Sequence, residues 1–401
     1  MGCGNSKILP ESPFDDKKDV QYIKSVDSFS KSKGKKSVSS KQAFMNGDGE
    51  KGKQSNNNNK GMSKYRAKFD PRVVSKYDIK ALIGRGSFSK VVRVEQKGTK
   101  QLYAIKMIDV KQKEGRDVCE SELRVLRRVR HRYIVQLIEV FEAPDKVYMV
   151  MELATGGELF DRIITRGSFS ERDAVKVLQM VLEAVGYLHS LGITHRDLKP
   201  ENLLYYHVGN DSKLLITDFG LASTRRSWDD TTMTTTCGTP EYIAPEVLMR
   251  KAYTCAVDCW ALGVITYILL SGTMPFDDEN KVKLYRMILK AEYNFNGDPW
   301  PHVSQAARDF IVAFLTVNPE DRMSPVRALK HPWINNHSAQ SNKNLHRSIS
   351  QNLLKRASSR NSNKSATSGR SSKSNRSLRS QHRKVKAKEL DEILKKYNYY
   401  Q

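Results

Sequence analysis

Acidic side chains are absent from a long stretch near the carboxyl end of this 401-residue chain. Residues 338–388 contain 14 lysines or arginines, many serines, and no aspartate or glutamate. Such a segment repels itself and has little apolar surface to bury. We therefore expect residues 338–401 to form a disordered Ser/Arg-rich tail, with a short regulatory helix over residues 344–357 as its one ordered element.

Sustained apolar periodicity is absent before Tyr77, where lysine, serine, asparagine and glycine predominate. Residues 1–76 are therefore predicted to be a disordered basic arm. The formal net charge is +24, yet residues 77–337 carry 35 basic and 33 acidic side chains and are nearly neutral. A charge excess confined to two arms argues against a groove for duplex DNA and favours loose attraction to anionic lipid or an acidic partner. No specific nucleic-acid binding is expected.

Cysteine is scarce, with five in the chain and no CxxC pair among them. The spacing of Cys255 and Cys259 is not matched by a second nearby pair, which argues against a zinc site. No run approaches the roughly 18 consecutive apolar residues that span a bilayer, and the first residues lack the apolar core of a secretory signal. These absences predict reduced thiols and a protein of the cytosol or nucleus.

The first seven residues, MGCGNSK, fit the pattern for N-myristoylation, which needs glycine at position 2 and serine or threonine at position 6. Gly2 would receive the myristoyl chain once Met1 is removed. One such chain holds a protein only reversibly, and Cys3 is placed to receive a palmitoyl chain as the second signal. Dual acylation predicts anchoring at the cytosolic face of the Golgi, endoplasmic reticulum or plasma membrane, whereas the Ser/Arg-rich tail favours a nuclear pool.

Four short motifs occur in order between Tyr77 and Gly220. A glycine-rich turn covers residues 84–91 between two apolar stretches, and the next apolar stretch contains the sequence YAIK. A predicted helix, ESELRVLRRV, comes next. The run HRDLKPEN follows at residues 195–202, and DFG follows a further apolar strand at residues 218–220. Because a glycine turn alone is more often a plain hairpin, the inference depends on the order of the motifs.

These motifs resemble those of a complete eukaryotic protein kinase domain of the calcium/calmodulin-dependent kinase group. The segments MGCGNSK, KYRAKFDPRV and NLHRSISQNLLKRASSR are similar to the protein serine kinase H family. The resemblance implies a kinase domain over residues 77–337 with an α+β bilobal fold. A small, mainly β N-lobe would cover about 77–152 and a larger, mainly helical C-lobe about 153–337. It also implies transfer of the γ-phosphoryl group of ATP, with Mg²⁺ as cofactor, to serine or threonine.

The resemblance assigns catalytic roles to four residues. Asp197 would accept the proton of the substrate hydroxyl, and Lys199 would neutralise the transferring phosphoryl group. Lys106 would reach the ATP phosphates from a strand. Its partner is expected to be Glu122, with Glu120 as the alternative.

ATP is expected to bind under the glycine-rich loop. The residues expected to contact ATP here are Ile83, directly before the loop, and the loop residues Gly84, Arg85, Gly86, Ser87, Phe88, Ser89, Lys90 and Val91. Ser89 stands where the kinase pattern has a third glycine, and its small side chain should still fit. The residues expected to sandwich adenine or form the hinge are Ile83, Val91, Ala104, Leu204, Glu152 and Leu153. Mg²⁺ would be held by Asn202 and Asp218.

Glu158 and Glu201 occupy positions that in arginine-directed relatives receive an arginine three residues before the acceptor. The resemblance therefore predicts substrates of the form R-x-x-S/T. Thr239 is expected to order the substrate-binding loop. Buried scaffolding is expected from Asp258 and from a pair formed by Glu246 and Arg322.

Three side chains are candidate phosphorylation sites. Thr235 lies in the predicted activation loop, where Arg196 would pair with its phosphate. Ser350 and Ser359 each follow an arginine by three residues, as the predicted substrate pattern requires. Autophosphorylation of the tail is therefore expected.

The tail also carries apolar side chains at four-residue steps, namely Leu345, Ile349, Leu353 and Ala357. With the interspersed Arg and Lys, this spacing predicts a short basic amphipathic helix. Such a helix would occupy the catalytic cleft as a pseudosubstrate or bind calmodulin, although it lacks Trp and Phe anchors.

Two other classes of protein compete with this interpretation. A membrane-anchored pseudokinase scaffold would bind partners without chemistry, but the presence of Lys106, Asp197, Asn202 and Asp218 argues against it. An RNA-associated protein would explain the Ser/Arg-rich tail, but no aromatic-bearing RNA module accompanies the charge.

Overall fold

The computed structural model describes residues 69–224, 233, 239–337 and 340–365, with the backbone alone described at residues 357 and 359–365. All the elements below belong to the unit Asp70–Gln401. In the parts of the chain that are described, no helix combines the length and apolarity needed to cross a membrane.

The N-lobe is a five-stranded antiparallel sheet with one long helix. The strands are β1 Tyr77–Arg85, β2 Ser89–Gln96, β3 Leu102–Asp109, β4 Leu137–Ala143 and β5 Lys146–Glu152. Their order in the sheet is β1-β2-β3-β5-β4. Val92, Val94 and Ile105 are fully buried, as expected for strands with one face on a core. Helix α2, Lys113–Leu126, places Glu122, Leu123 and Leu126 on its buried side.

The C-lobe is mainly helical. Its helices are α3 Leu159–Arg166, α4 Glu171–Ser190, α5 Pro245–Leu248, α6 Ala256–Ser271, α7 Lys281–Lys290, α8 Gln305–Phe314, α9 Pro325–Leu329 and α10 Pro332–Asn335. The 3-10 turns are Pro200–Asn202, Pro240–Tyr242 and Trp300–His302. Helix α6 is buried along nearly its whole length because almost every side chain in it is apolar. The expected bilobal α+β fold is confirmed.

Two small antiparallel sheets hold the loops that carry the polar motifs. One pairs β6, Ile193–Thr194, with β9, Ser223–Thr224. The other pairs β7, Leu203–Tyr205, with β8, Leu214–Ile216. HRDLKPEN follows β6 and DFG follows β8, so these pairings bring the two motifs together in space.

The expected disordered arm is wrong for its last residues. Helix α1, Pro71–Lys76, begins at Asp70, whose side chain accepts the backbone N–H of Arg72. Val73 is fully buried. One apolar side chain and one cap are enough to order these residues against the sheet, because the sheet supplies the rest of the core.

The expected disordered tail is also wrong for the segment after residue 340. Helix α11, His346–Ser365, begins near the predicted start at residue 344 and continues eight residues past the predicted end at 357. Leu345, Ile349 and Leu353 are 2%, 0% and 5% exposed, so the predicted apolar face is confirmed for these three positions. The C-lobe covers that face, which is why this part of a basic, serine-rich tail folds.

Candidate active site

A buried ion pair joins β3 to α2. Nζ of Lys106 lies 2.7 Å from both carboxylate oxygens of Glu122 and 3.0 Å from Oδ1 of Asp218. The Glu122 side chain is 1% exposed. The expected pairing of Lys106 with Glu122 is confirmed, and the alternative, Glu120, lies exposed on the other side of the helix.

The charges of Lys106 and Asp218 stabilise each other, whereas burial raises the pKa of the Glu122 carboxyl in spite of the neighbouring ammonium. Burial alone would lower the pKa of the Lys106 ammonium, but the carboxylates of Glu122 and Asp218 outweigh burial and raise that pKa. Burial alone would raise the pKa of Asp218, but Lys106 outweighs burial and lowers it. Near neutral pH the cluster therefore holds a fixed ammonium next to the Asp218 carboxylate, half of whose side-chain surface remains exposed.

A second hydrogen-bonded group surrounds Asp197. Nζ of Lys199 donates to Oδ2 of Asp197 at 2.6 Å and to Oγ1 of Thr239 at 3.1 Å. The Thr239 hydroxyl donates to Oδ1 of Asp197 at 3.0 Å. Nδ2 of Asn202 donates to the carbonyl oxygen of Asp197 at 2.8 Å. The loop thus holds a proton acceptor and a cation in contact, in a fixed orientation.

Asp258 anchors this loop from inside the C-lobe. Its Oδ2 accepts the backbone N–H of His195 and its Oδ1 that of Arg196, both at 2.9 Å. Arg196 has a φ of 66°, a left-handed conformation that a non-glycine residue keeps only when its surroundings impose it. The expected burial of Asp258 at a helix start is confirmed, since it lies in the first turn of α6 and is 1% exposed.

His189 is a third partner of Asp258. Its Nε2 lies 2.8 Å from Oδ2 of the carboxylate. Burial alone would lower the pKa of His189, but its hydrogen bonds with Asp258 and Cys255 outweigh burial and raise the pKa to about 9. The imidazole is therefore charged at neutral pH, beneath the loop that carries Asp197.

Stability is expected to fall as the pH rises from about 6.5 to about 9. Below the unfolded-state pKa, His189 is protonated in both states and its contribution is full, and that contribution is lost as the pH rises through the folded-state pKa. At 1.36 kcal/mol per unit the loss is about 3 kcal/mol. Urea unfolding of the wild type and of His189→Gln across this pH range measures it. Parallel pH profiles for the two proteins would refute the assignment.

Comparisons with known proteins decide which family this arrangement represents. Residues 77–334 match the family model described as protein kinase domain. The chain belongs to the protein kinase family. It is 61% identical over 374 residues to Serine/threonine-protein kinase H1 of Homo sapiens, covering 88% of each chain. It is 64% identical over 291 residues to Serine/threonine-protein kinase H2 of Homo sapiens, covering 72% of this chain and 76% of that one.

A more distant relative lies outside the H kinases. The chain is 48% identical over 280 residues to Calcium/calmodulin-dependent protein kinase type 1 of Caenorhabditis briggsae, covering 69% of this chain and 78% of the other. Together the family match and the 61% identity establish a protein serine/threonine kinase. The pseudokinase alternative receives no support from these relatives.

Protein kinases use Mg²⁺ with ATP, and this kinase offers donors that suit it. Asp218 uses one carboxylate oxygen on Lys106 and keeps half of its side-chain surface exposed. Asn202 uses its amide nitrogen on Asp197, which directs its amide oxygen elsewhere. Within the described residues, no group of three or more His, Cys, Asp or Glu side chains is arranged to hold a metal ion. Mg²⁺ commonly combines one or two protein oxygens with phosphate oxygens and water.

The glycine-rich loop of the kinase forms the turn between β1 and β2. The N–H of Gly86 donates to the carbonyl oxygen of Ser89 at 2.9 Å. A β-carbon at Gly86 would lie 2.7 Å from Oγ of Ser89, so a larger residue there would require the Ser89 side chain to rotate away. Beside the turn, Gly84 pairs with Val91 across the two strands. Ser89 therefore closes the loop where the kinase pattern has its third glycine.

Backbone pairing places two of the residues expected to contact adenine near the hinge or the segment that follows it. Buried Ala104 lies opposite Met151 in the sheet, directly before Glu152 and Leu153. Leu204 forms a backbone bridge with Glu158, just after the hinge. The sheet register thus places Ala104 next to the hinge, while Ile83, 50% exposed, lies in β1 directly before Gly84 of the glycine-rich loop.

Three carboxylates gather beyond the hinge at Glu158, Asp161 and Glu201. Partial burial raises the pKa of Glu158 to about 7, and repulsion by Asp161 and Glu201 adds to the shift. Burial also raises the pKa of Asp161. All three side chains remain accessible to a cation from solution. The sequence pattern indicated Glu158 and Glu201 but not Asp161, whose position three residues after Glu158 on a helix was the available signal.

The expected scaffolding pair of Glu246 and Arg322 is confirmed. Nη1 of Arg322 lies 2.7 Å from Oε1 of Glu246, and Nη2 lies 2.9 Å from Oε2. The guanidinium also donates to the backbone carbonyls of Ala256, Thr316 and Val317. This pair ties the segment after the substrate-binding loop to the far end of the C-lobe.

Several predicted sites lie outside the described residues, namely Gly2, Cys3 and Thr235. Arg196, expected to pair with a phosphate on Thr235, donates to the carbonyl oxygen of Leu221 at 2.6 Å. Ser350 is described and is 9% exposed, whereas Ser359 is described only as a backbone position in α11.

Proposed function

We propose that this kinase phosphorylates serine or threonine that follows an arginine by three residues. The observation that carries the proposal is the acidic group formed by Glu158, Asp161 and Glu201. Carboxylates that repel one another are stabilised when a guanidinium binds among them, because its five N–H donors can hydrogen-bond more than one carboxylate at once. The group lies on the α3 side of the cleft, next to the loop that carries Asp197.

The transfer step uses the two hydrogen-bonded clusters of the site. Asp197 orients the acceptor hydroxyl and takes its proton as the new O–P bond forms and the bond from the γ-phosphorus to ADP breaks. Lys199 offsets the negative charge of the transferring group. Lys106, held by Glu122, binds the ATP phosphates beneath the glycine-rich loop. Mg²⁺, when bound by Asn202 and Asp218, neutralises phosphate charge.

The test is phosphate transfer from Mg·ATP to a Leu-x-Arg-x-x-Ser peptide and to its Arg→Ala twin. An Asp218→Ala variant serves as the control for contaminating activity, and each assay is run with and without Ca²⁺ and calmodulin. Transfer that needs both Asp218 and the peptide arginine supports the proposal. Equal transfer to both peptides would overturn the arginine preference.

Selection for arginine is expected to strengthen as the pH rises through about 7. Below that pH, Glu158 must lose a proton before it pairs with the guanidinium. The KM for the arginine peptide should therefore rise by up to about tenfold for each unit by which the pH falls below about 7. The twin peptide should show no such trend. Measurements of both KM values from pH 6 to 8.5, in the wild type and in Glu158→Gln, check this. A trend that persists in Glu158→Gln would assign it to another group.

Anchoring of the kinase at the cytosolic face of the Golgi, endoplasmic reticulum or plasma membrane, with a separate nuclear pool, belongs to the same proposal. It is supported by the pattern around Gly2 and Cys3 and by the net basic charge of residues 1–76. Metabolic labelling with a myristate analogue and cell fractionation test it. Membrane retention of a Gly2→Ala variant would argue against acylation as the anchor.

Calmodulin is proposed as a partner because one relative is named a calcium/calmodulin-dependent kinase. The apolar face of α11 that would bind calmodulin, formed by Leu345, Ile349 and Leu353, is covered by the C-lobe. Calmodulin would therefore have to displace α11 from the C-lobe before binding.

A further inference from the structure

The side chain of the hinge residue Glu152 is paired with a lysine of the C-lobe. Nζ of Lys213 donates to Oε1 of Glu152 at 2.7 Å. The other carboxylate oxygen, Oε2, is buried and has no hydrogen-bond partner among the residues that the structure describes. The Glu152 side chain is only 15% exposed, so water reaches little of it. Removal of Lys213 would therefore leave a largely buried carboxylate without its cation.

Contacts on both its backbone and its side chain hold Lys213 in the β7–β8 hairpin. Its carbonyl oxygen accepts the N–H of Tyr206 at 3.0 Å, and its Nζ lies 4.4 Å from the centroid of the Tyr206 ring. The face of the ring attracts the ammonium group, which limits the positions that this long side chain adopts. Lys213 thus presents its charge to Glu152 from a fixed point.

The N-lobe holds the backbone of the same hinge residue. The N–H of Glu152 donates to the carbonyl oxygen of Gln136 at 2.9 Å. Nε2 of Gln136 in turn donates to the carbonyl oxygens of His131 and Ile134 at 3.2 and 2.8 Å. Glu152 is therefore fixed by the N-lobe at its backbone and by the C-lobe at its carboxylate.

Strand β8 connects the contact at Lys213 to the other end of the cleft. Lys213 directly precedes β8 and stands five residues before Asp218. The N–H of Thr217 donates to the carbonyl oxygen of Asn202 at 3.0 Å. The hinge and the two residues expected to hold Mg²⁺ are thus tied to one short strand.

We propose that Lys213 is a positioning residue for ATP, acting through Glu152 on the hinge that binds adenine. A hinge binds adenine through backbone groups, and the directions of those groups follow the conformation of the chain. Without Lys213 the Glu152 carboxylate turns toward water, because a buried charge without a partner is unfavourable, and the hinge backbone moves with it. The inference rests on the proposed placement of ATP beneath the glycine-rich loop and is independent of the arginine preference.

Lys213→Met should weaken ATP binding by about threefold to tenfold, the worth of one hydrogen bond that loses its alignment. The kcat should stay within about twofold of the wild type, because Asp197 and Lys199 form a separate cluster. Titration with a fluorescent nucleotide gives the Kd without a peptide, and steady-state kinetics give kcat. Lys213→Arg keeps the cation and should restore the affinity. Lys176→Met, which removes an exposed lysine of α4, should change neither value.

Competition with two fragments of the nucleotide separates the hinge from the phosphate site. Adenosine carries the base but no phosphate, and tripolyphosphate carries the phosphates but no base. In Lys213→Met the inhibition constant of adenosine should rise by the same factor as the Kd for ATP, while that of tripolyphosphate should stay unchanged. An equal rise for both fragments, or a Kd for ATP equal to that of the wild type, would overturn the inference.

A double-mutant cycle tests whether Lys213 acts through Glu152. Glu152→Gln removes the charge but keeps the shape of the side chain, so this variant should fold even if Lys213→Met does not, as circular dichroism will show. It should weaken ATP binding by a similar factor. The double variant Glu152→Gln, Lys213→Met should bind ATP no more weakly than Lys213→Met alone. Factors that multiply in the double variant would mean that the two residues act independently, which contradicts the proposed route through Glu152.

Discussion

Replacing Asp197 with asparagine should lower kcat by about 10²- to 10⁴-fold, the usual range for loss of a general base. Asparagine keeps the size of the side chain but cannot take the proton of the acceptor hydroxyl. It also loses one acceptor for Lys199 or Thr239, which donate to the two carboxylate oxygens at 2.6 and 3.0 Å. Steady-state kinetics with the arginine peptide measure the loss.

The affinity for ATP should change little in Asp197→Asn, because Lys106 and Glu122 form a separate cluster. Titration with a fluorescent nucleotide checks this point. Asp211→Asn, a change at an exposed loop position, should leave kcat unaltered. A kcat within a factor of about three of the wild type in Asp197→Asn would remove Asp197 from the proposed role.

Replacing Arg322 with methionine should lower the free energy of unfolding by about 3–5 kcal/mol, the range for breaking a buried ion pair by removing one partner. The Arg322 side chain is 0% exposed and that of Glu246 is 3% exposed. Methionine fills much of the volume but leaves a buried carboxylate without its partner. Urea unfolding followed by circular dichroism measures the loss.

The matched control for this prediction is Arg327→Met, which replaces an exposed arginine in the same region and should cost little. The double variant Glu246→Gln, Arg322→Met should be more stable than Arg322→Met alone, because it leaves no unpaired charge. Equal stability of the two would mean that the loss comes from packing around Trp260, over whose ring the guanidinium lies at 5.2 Å.

The chemistry of the site could be predicted from sequence because it depends on residue types in a fixed order. Lys106, Asp197 and Asp218 were each indicated by a short motif, and no other residue type supplies the same charge and reach. The catalytic loop is also local, since Lys199 and Asn202 contact a residue only two and five positions away. Such contacts follow from the motif itself.

Other features depended on contacts between distant parts of the chain. The sequence favoured Glu122 and kept Glu120 as the alternative, and the rotation of α2 relative to β3, which packing sets, confirmed Glu122. Asp161 lies near Glu158 and Glu201 because α3 packs next to the catalytic loop, and the sequence did not show that packing. His189 and Asp258 form a hydrogen bond although they are 69 residues apart in sequence, so no local sequence pattern indicated this contact.

The two arms show the same division. Composition alone predicted a folded domain that is too short at both ends. A low apolar content is a property of the segment itself and does not show whether the segment packs against another part of the chain. Val73 and Ile349 are fully buried in segments that are otherwise polar and basic. The four-residue spacing of Leu345, Ile349 and Leu353 was enough to predict a helix with one apolar face.

Residue identity and short-range spacing therefore specified the family, the reacting groups and the helical form of the tail, because each is encoded within a few neighbouring positions. Tertiary packing alone decided that α11 docks on the C-lobe and that Ser350, a residue of α11, is only 9% exposed. An apolar face on a helix indicates that the face is buried, but the sequence pattern does not identify the surface that buries it. Here that surface is formed by α3 and α6, and only the tertiary structure shows it.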